Sequence, residues 1–238
     1  MLKLIRYIAI TLLVVMSLLV VLTIALFRPF SDKNSYLFAR MIGPLGLRLL
    51  GVDYEIVGRE YLAGQDPCVY IGNHQTNFDI FIVCSFIPPR TISLGKRELF
   101  WIPLFGLFFW LSGNILVNRG NRTKSLQSME KVKHHLSQGK LSIVIMPEGT
   151  RSLGRGLLPF KKGAFHTAAY TGVPIVPFCV TSWDPHINLN KWKAGKLIIK
   201  GLPPIKPAGS SPKDVEALLH HSRTLMEKEI NQLNASLT

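Results

Sequence analysis

Tyr7 to Phe27 runs for 21 residues without a charge, bounded by Arg6 and Arg28. As an α-helix this stretch is about 31 Å long, close to the roughly 30 Å hydrocarbon core of a bilayer. We therefore expect a membrane segment. Lys3 and Arg6 would also suit the basic start of a signal peptide, but Ile24-Ala25-Leu26-Phe27-Arg28 offers no Ala-x-Ala-like cleavage site. Arg28, Lys33, Arg40 and Arg48 after the segment outnumber Lys3 and Arg6 before it, which favours a cytoplasmic side for the rest of the chain. Whether the helix crosses the bilayer or enters one leaflet stays open at this point.

Two further apolar stretches invite the same reading and resist it. Tyr36 to Leu50 carries Arg40 and Arg48 and contains Gly43-Pro44, which predicts a broken interfacial helix. Leu99 to Asn118 is uncharged for 20 residues but is divided by Pro103, Gly106 and Gly113. Its first part, Trp101 to Leu111, reads as a short helix whose Trp and Phe side chains face membrane or acyl chains, or else as a plain core helix. Residues 1–50 are thus expected to be membrane-anchoring helices and residues 51–238 a separate α/β domain. In the latter, strands are expected at Cys68 to Ile71, Ile115 to Val117, Leu141 to Met146 and Val173 to Val180. Helices are expected at Phe78 to Phe86, Arg122 to Gln138, Lys161 to Thr171 and from Ser211 to about Asn234. The alternation predicts a mixed sheet flanked by helices.

Charge narrows the partners. The chain has 28 Lys and Arg against 14 Asp and Glu, a net +14, yet 47% of its residues are hydrophobic. From Lys131 to Trp183 the lone carboxylate is Glu148, among seven Lys and Arg. Such a field attracts anionic headgroups, phosphorylated substrates or nucleic acid. No helix-turn-helix, zinc-ligand or RNP-like pattern is legible, so nucleic acid is not expected as a partner. Cys68, Cys84 and Cys179 are widely spaced, and neither a disulfide framework nor a metal site is indicated. The sequence has no Gly-x-Ser-x-Gly elbow, P-loop or dinucleotide fingerprint.

Asn73-His74-Gln75-Thr76-Asn77-Phe78-Asp79 holds a base and a carboxylate. Spacing alone weighs little: seven His and six Asp in 238 residues give about 0.2 such pairs by chance. Context raises it. The strand ends at Gly72-Asn73, and Asn77 reads as the N-cap of a helix that carries Asp79 in its first turn. Five residues apart on one helix, the two side chains would diverge by about 140°, and a loop-to-helix junction removes that objection. A carboxylate on one imidazole nitrogen leaves the other free to take a proton from a hydroxyl. The plain reading, a loop histidine and a helix-start acid, stays open when the block is seen alone. Pro147-Glu148-Gly149-Thr150-Arg151-Ser152, at the exit of the next buried strand, reads as an anion clamp.

At these residues the chain resembles the glycerolipid acyltransferase family, most nearly its bacterial members. Four blocks stand in the family's order: Asn73 to Asp79, Gly113 to Arg119, Met146 to Ser152, and Val173 to Pro177. Asn118 departs from the Asp that many members carry before the Arg. The resemblance implies transfer of an acyl chain from acyl-CoA or acyl-carrier protein to the sn-2 hydroxyl of a lysophosphatidate, giving phosphatidate, without a cofactor or metal. It implies His74 as general base, Asp79 as its orienting partner, and Glu148, Gly149, Thr150 and Arg151 as substrate-binding residues, with Arg119 and Lys96 as further phosphate contacts. It also implies a bacterial inner-membrane protein with its catalytic domain facing the cytoplasm. Another acceptor, such as glycerol-3-phosphate or a different lysolipid, and a catalytically silent membrane module are the alternatives.

Overall fold

A computed structural model describes residues 1–64, 67–118, 130, 132, 134–139 and 141–237. Helices α1 (Leu2–Phe27) and α2 (Asp32–Leu49) come first, followed by strand β1 (Val52–Val57), a short helix α3 (Arg59–Leu62) and β2 (Val69–Gly72). Next are α4 (Asp79–Phe86), β3 (Thr91–Lys96), a 3-10 turn (Arg97–Trp101), α5 (Phe105–Leu111), β4 (Ile115–Val117) and β5 (Ser142–Ile145). Helix α6 (Gly163–Thr171), β6 (Ile175–Val180), β7 (Gly195–Gly201) and α7 (Pro212–Ala235) complete the chain. Part of the expected Arg122 to Gln138 helix lies outside the described residues; those described from 134 to 137 are helical, and Val132 and Leu136 are buried.

The seven strands form one sheet in the order β1-β7-β6-β2-β5-β3-β4. Every neighbouring pair is parallel except β6 and β7, which makes the sheet mixed. The central strands β2 and β6 are buried along their whole length, as expected of strands covered on both faces. One face packs against α1, α2, α4 and α5 through Tyr70, Val144, Val176 and Phe178. The other packs against α6 and α7 through Ile71, Ile143 and Ile175. The last helix starts as its sequence predicts: Ser211 and Asp214 form a reciprocal capping box with Pro212 at the first position.

Two expectations are corrected. The Tyr36 to Leu50 helix is not broken: α2 continues through Pro44 to Leu49. Gly43 and Gly46 instead let α2 press against the Cys84–Ser85 backbone and the Phe81 ring of α4, where a Cβ would collide. The Trp101 to Leu111 helix, by contrast, is divided at Pro103, and Leu104 takes a positive φ of 62°. Its side chains separate accordingly, Phe108 and Phe109 inward and Trp101 and Trp110 outward.

Helix α1 is the one described helix long and apolar enough to cross a membrane. It lies along the domain rather than standing off it. Near its start the buried Arg6 donates to the carbonyls of Leu189 and Trp192, and farther along Leu18, Val21 and Ala25 are buried. Just past its end Arg28 donates to the Asn34 side chain and the Phe30 N–H to Leu111 O at 2.6 Å. Its opposite face exposes Leu4, Ile8, Leu12, Met16 and Leu19, an apolar stripe at helical spacing.

Candidate active site

His74 leaves the end of β2 on a loop held from two sides. The side-chain amide of Asn73 pairs with both the N–H and the C=O of Val180 at 2.9 Å, extending the β2–β6 contact beyond the last strand residue. Gln75 donates to Thr181 O at 2.9 Å and accepts from the Trp183 N–H at 2.8 Å. Across the loop, the N–H groups of Ser152 and Leu153 donate to His74 O and Gln75 O. The flanking amides thus fix the backbone of His74. Neither Asn73 nor Gln75 was singled out from sequence.

Asp79 closes the loop back on itself. Its Oδ2 lies 2.6 Å from His74 Nδ1 and also accepts from the backbone N–H groups of Gln75 at 2.6 Å and Thr76 at 3.1 Å. An oxygen facing the two backbone donors is an acceptor, so the short third contact calls for the proton on Nδ1. The lone pair then resides on Nε2. The expected Asn77 cap does not form; Phe78 precedes the helix and makes no side-chain cap. Asp79 is thus a folded-back acceptor for the loop.

Glu148 is buried and touches the site through main chain. Its Oε1 accepts from the His74 N–H at 2.6 Å and its Oε2 from the Leu158 N–H at 2.9 Å, tying three loops together. Burial pushes its carboxyl above the ordinary value, and the two N–H groups oppose that push. Gly149 follows with φ of 69°, and a side chain there would meet Lys161 at 2.9 Å.

His74 and Asp79 line a cavity of about 510 Å3 whose walls are mostly apolar. Ile80, Val83 and Cys84 of α4, Leu94 and Gly95 of β3, and Phe105 and Phe109 of α5 contribute to it. Burial pushes the Cys84 thiol up to about 12, so it remains a neutral lining group rather than a nucleophile. Gly149 and Lys161 also line this cavity. Arg151 and Thr150 are exposed and outside its lining, and Lys96 is exposed at the end of β3, 3.8 Å from Glu98. Arg119 lies outside the described residues. Lys161, which sequence reasoning counted in the basic field but not among the site residues, is the cation on this wall; the adjoining Lys162 pairs instead with Glu216 at 3.3 Å.

The arrangement offers a base with an oriented lone pair, a buried loop anchor, one ammonium group and an apolar space for a chain. Comparisons agree with that chemistry. An acyltransferase family model matches residues 53–181, more than half of the chain. A 1-acyl-sn-glycerol-3-phosphate acyltransferase of Escherichia coli (strain K12) is 41% identical over 209 residues, covering 88% of this chain and 85% of that protein. The like-named protein of Haemophilus influenzae is 45% identical over 169 residues, 71% of this chain and 70% of its own. The human 1-acyl-sn-glycerol-3-phosphate acyltransferase alpha is 32% identical over 188 residues, 77% of this chain and 66% of its own. A 1-acyl-sn-glycerophosphate (LPA) acyltransferase from Thermotoga maritima superposes with a TM-score of 0.75 at 22% identity, covering 98% of this chain and 96% of that one, a likeness of fold.

Proposed function

The chain belongs to the acyltransferase family, and on that premise we propose that it transfers an acyl group from a thioester to the sn-2 hydroxyl of 1-acyl-sn-glycerol-3-phosphate, giving phosphatidate. The observation that carries this reading is the 2.6 Å His74–Asp79 contact at the wall of a mostly apolar cavity. His74 Nε2 takes the hydroxyl proton as the oxygen attacks the thioester carbonyl. Asp79 holds the Nδ1 proton and stabilises the imidazolium, which then returns a proton to the leaving thiolate. General base catalysis of this kind contributes about 10² to 10⁴-fold, and an already activated thioester needs no covalent acyl-enzyme.

A phosphate monoester carries roughly −1.5 to −2 charge and calls for cationic donors. Lys161, on the cavity wall, is the first of these in our reading. Arg151, from the same loop as Glu148, is an outer contact that meets the phosphate from solvent, and Arg119 and Lys96 are further ones. Glu148, Gly149 and Thr150 shape the loop. The cavity is suited to an acyl chain, being lined by aliphatic and aromatic groups with the reacting pair at one side.

Attachment is to one face of a bacterial inner membrane, with the domain on the cytoplasmic side. A lone helix crossing a bilayer apart from its domain would meet lipid on every side, whereas α1 is packed against the domain near both ends and along one face. Its outward stripe, with the exposed Trp101 and Trp110, suits entry into one leaflet.

The test uses purified protein in detergent with labelled acyl-CoA and acyl-carrier protein, each against lysophosphatidate, glycerol-3-phosphate and neutral lysolipids. Label in phosphatidate, lost in His74→Ala, is the expected result. Preferential acylation of glycerol-3-phosphate or a neutral lysolipid would overturn the acceptor assignment, and undiminished turnover by folded His74→Ala would overturn the mechanism.

A further inference from the structure

A second cavity, of about 630 Å3, lies away from His74, between the start of α1, the end of α2, the start of β1 and the Trp192–Lys193 loop. Its lining is mostly apolar, with three cationic side chains among the apolar ones. Leu2 and Ile5 form one wall, and Ile5 also belongs to the exposed apolar face of α1. Trp192, 82% exposed, stands at the rim. Three cations, Arg6, Arg48 and Lys193, face one carboxylate, Asp53. Arg6 is buried and donates to two carbonyls, so no counter-charge meets it among the described residues. Arg48 and Lys193 are exposed and form no ion pair there.

We propose that this groove binds an anionic glycerophospholipid of the host bilayer, its phosphate between Arg48 and Lys193 and an acyl chain along Leu2 and Ile5. A soluble anion would gain nothing from the apolar wall, and a neutral lipid would leave the excess positive charge unanswered. Ile5 on its wall is exposed on α1, the helix that the membrane reading turns toward lipid, and an exposed Trp beside cationic groups suits the headgroup level. The site shares no lining residue with the catalytic cavity, so it holds the protein, or selects where it sits, without taking part in acyl transfer.

The experiment uses the full chain with Trp101, Trp110 and Trp183 changed to Phe, leaving Trp192 as the reporter. Fluorescence is read in phosphatidylcholine vesicles carrying a minor fraction of brominated phosphatidylglycerol or, separately, of brominated phosphatidylcholine. Quenching should be stronger with the anionic probe, and Arg48→Gln with Lys193→Gln should weaken that preference about tenfold. Binding of the same variant to neutral vesicles should be unchanged, which separates this site from the membrane reading it rests on. If the Trp replacements prevent folding, native mass spectrometry of the detergent-solubilised wild type and the double variant reads retained phosphatidylglycerol directly. Equal quenching by both probes, release of the quenching by inorganic phosphate, or anionic-lipid retention unaltered in the double variant would each overturn the proposal.

Discussion

The backbone N–H of His74 donates to Oε1 of Glu148 at 2.6 Å, so two loops 74 residues apart are joined through a main-chain donor and the imidazole is left to Asp79. Glu148→Ala strands two half-buried donors, each costing up to about 1–3 kcal/mol. We expect a marked fall in melting temperature and in kcat, with smaller changes in the Michaelis constants. Unaltered stability and turnover would remove Glu148 from the frame of the site.

The same carboxylate gives a pH dependence of stability. Its folded value is raised above the unfolded one, so this group's contribution is full at pH below the ordinary carboxylate range and is lost as pH rises through the raised value. Glu148→Gln lacks that slope. Melting curves from mildly acidic to neutral pH should show wild type gaining on the variant as pH falls, and a constant gap would contradict the shift.

Asp79→Asn replaces an oxygen that takes the Gln75 and Thr76 N–H groups as well as His74. An amide that keeps its oxygen there turns its NH2 toward Thr76 Oγ1 and brings no negative charge to stabilise the imidazolium. Turnover should fall about 10²-fold or more with a modest stability loss, while His74→Ala should lose about as much activity with the fold intact. Circular dichroism and single-turnover assays separate the two effects.

Lys161 lines the cavity and Arg151 does not. Lys161→Ala should therefore raise the apparent Michaelis constant for lysophosphatidate by about 10- to 100-fold, the scale of a lost charged hydrogen bond, and Arg151→Ala by less. The acyl donor's constant should move little in either. The reverse ranking would make Arg151 the principal phosphate contact.

A Cβ on Gly95 would come within 2.7 Å of the Phe109 ring, and both residues line the cavity. Gly95→Ala should push that ring into the cavity and shift preference toward shorter acyl donors, at an overpacking cost of about 1–3 kcal/mol. Parallel assays with donors of increasing chain length check this; a uniform loss across lengths would mean the cavity does not hold the donor chain.

The chemistry of this chain was more legible than its geometry. His74 and Asp79 stood out through their block at a strand exit, and Glu148 through the family resemblance of its own block. The way Asp79 meets His74 did not, because Asn77 looked like the better cap and the fold-back onto Gln75 and Thr76 has no local signature. Gly43-Pro44 misled because a glycine that permits close packing reads the same as one that ends a helix. Strands β1, β3 and β7 were not singled out; β3 ends in Gly-Lys and β7 carries Lys196 and Lys200, so neither is a plain apolar run. The cavity is assembled from residues spread between 74 and 164, and only the tertiary fold unites them.

Arg6 docks onto carbonyls of residues 189 and 192, up to 186 positions later in the chain. At about 5–20 residues per second, synthesis needs about 10 to 40 s to reach them after Arg6 has formed. The first apolar helix therefore leaves the ribosome well before its final resting place exists. On the membrane reading proposed above, lipid is the apolar surface available in that interval, and the order of translation would bring the chain to the bilayer before the rest of the domain is complete.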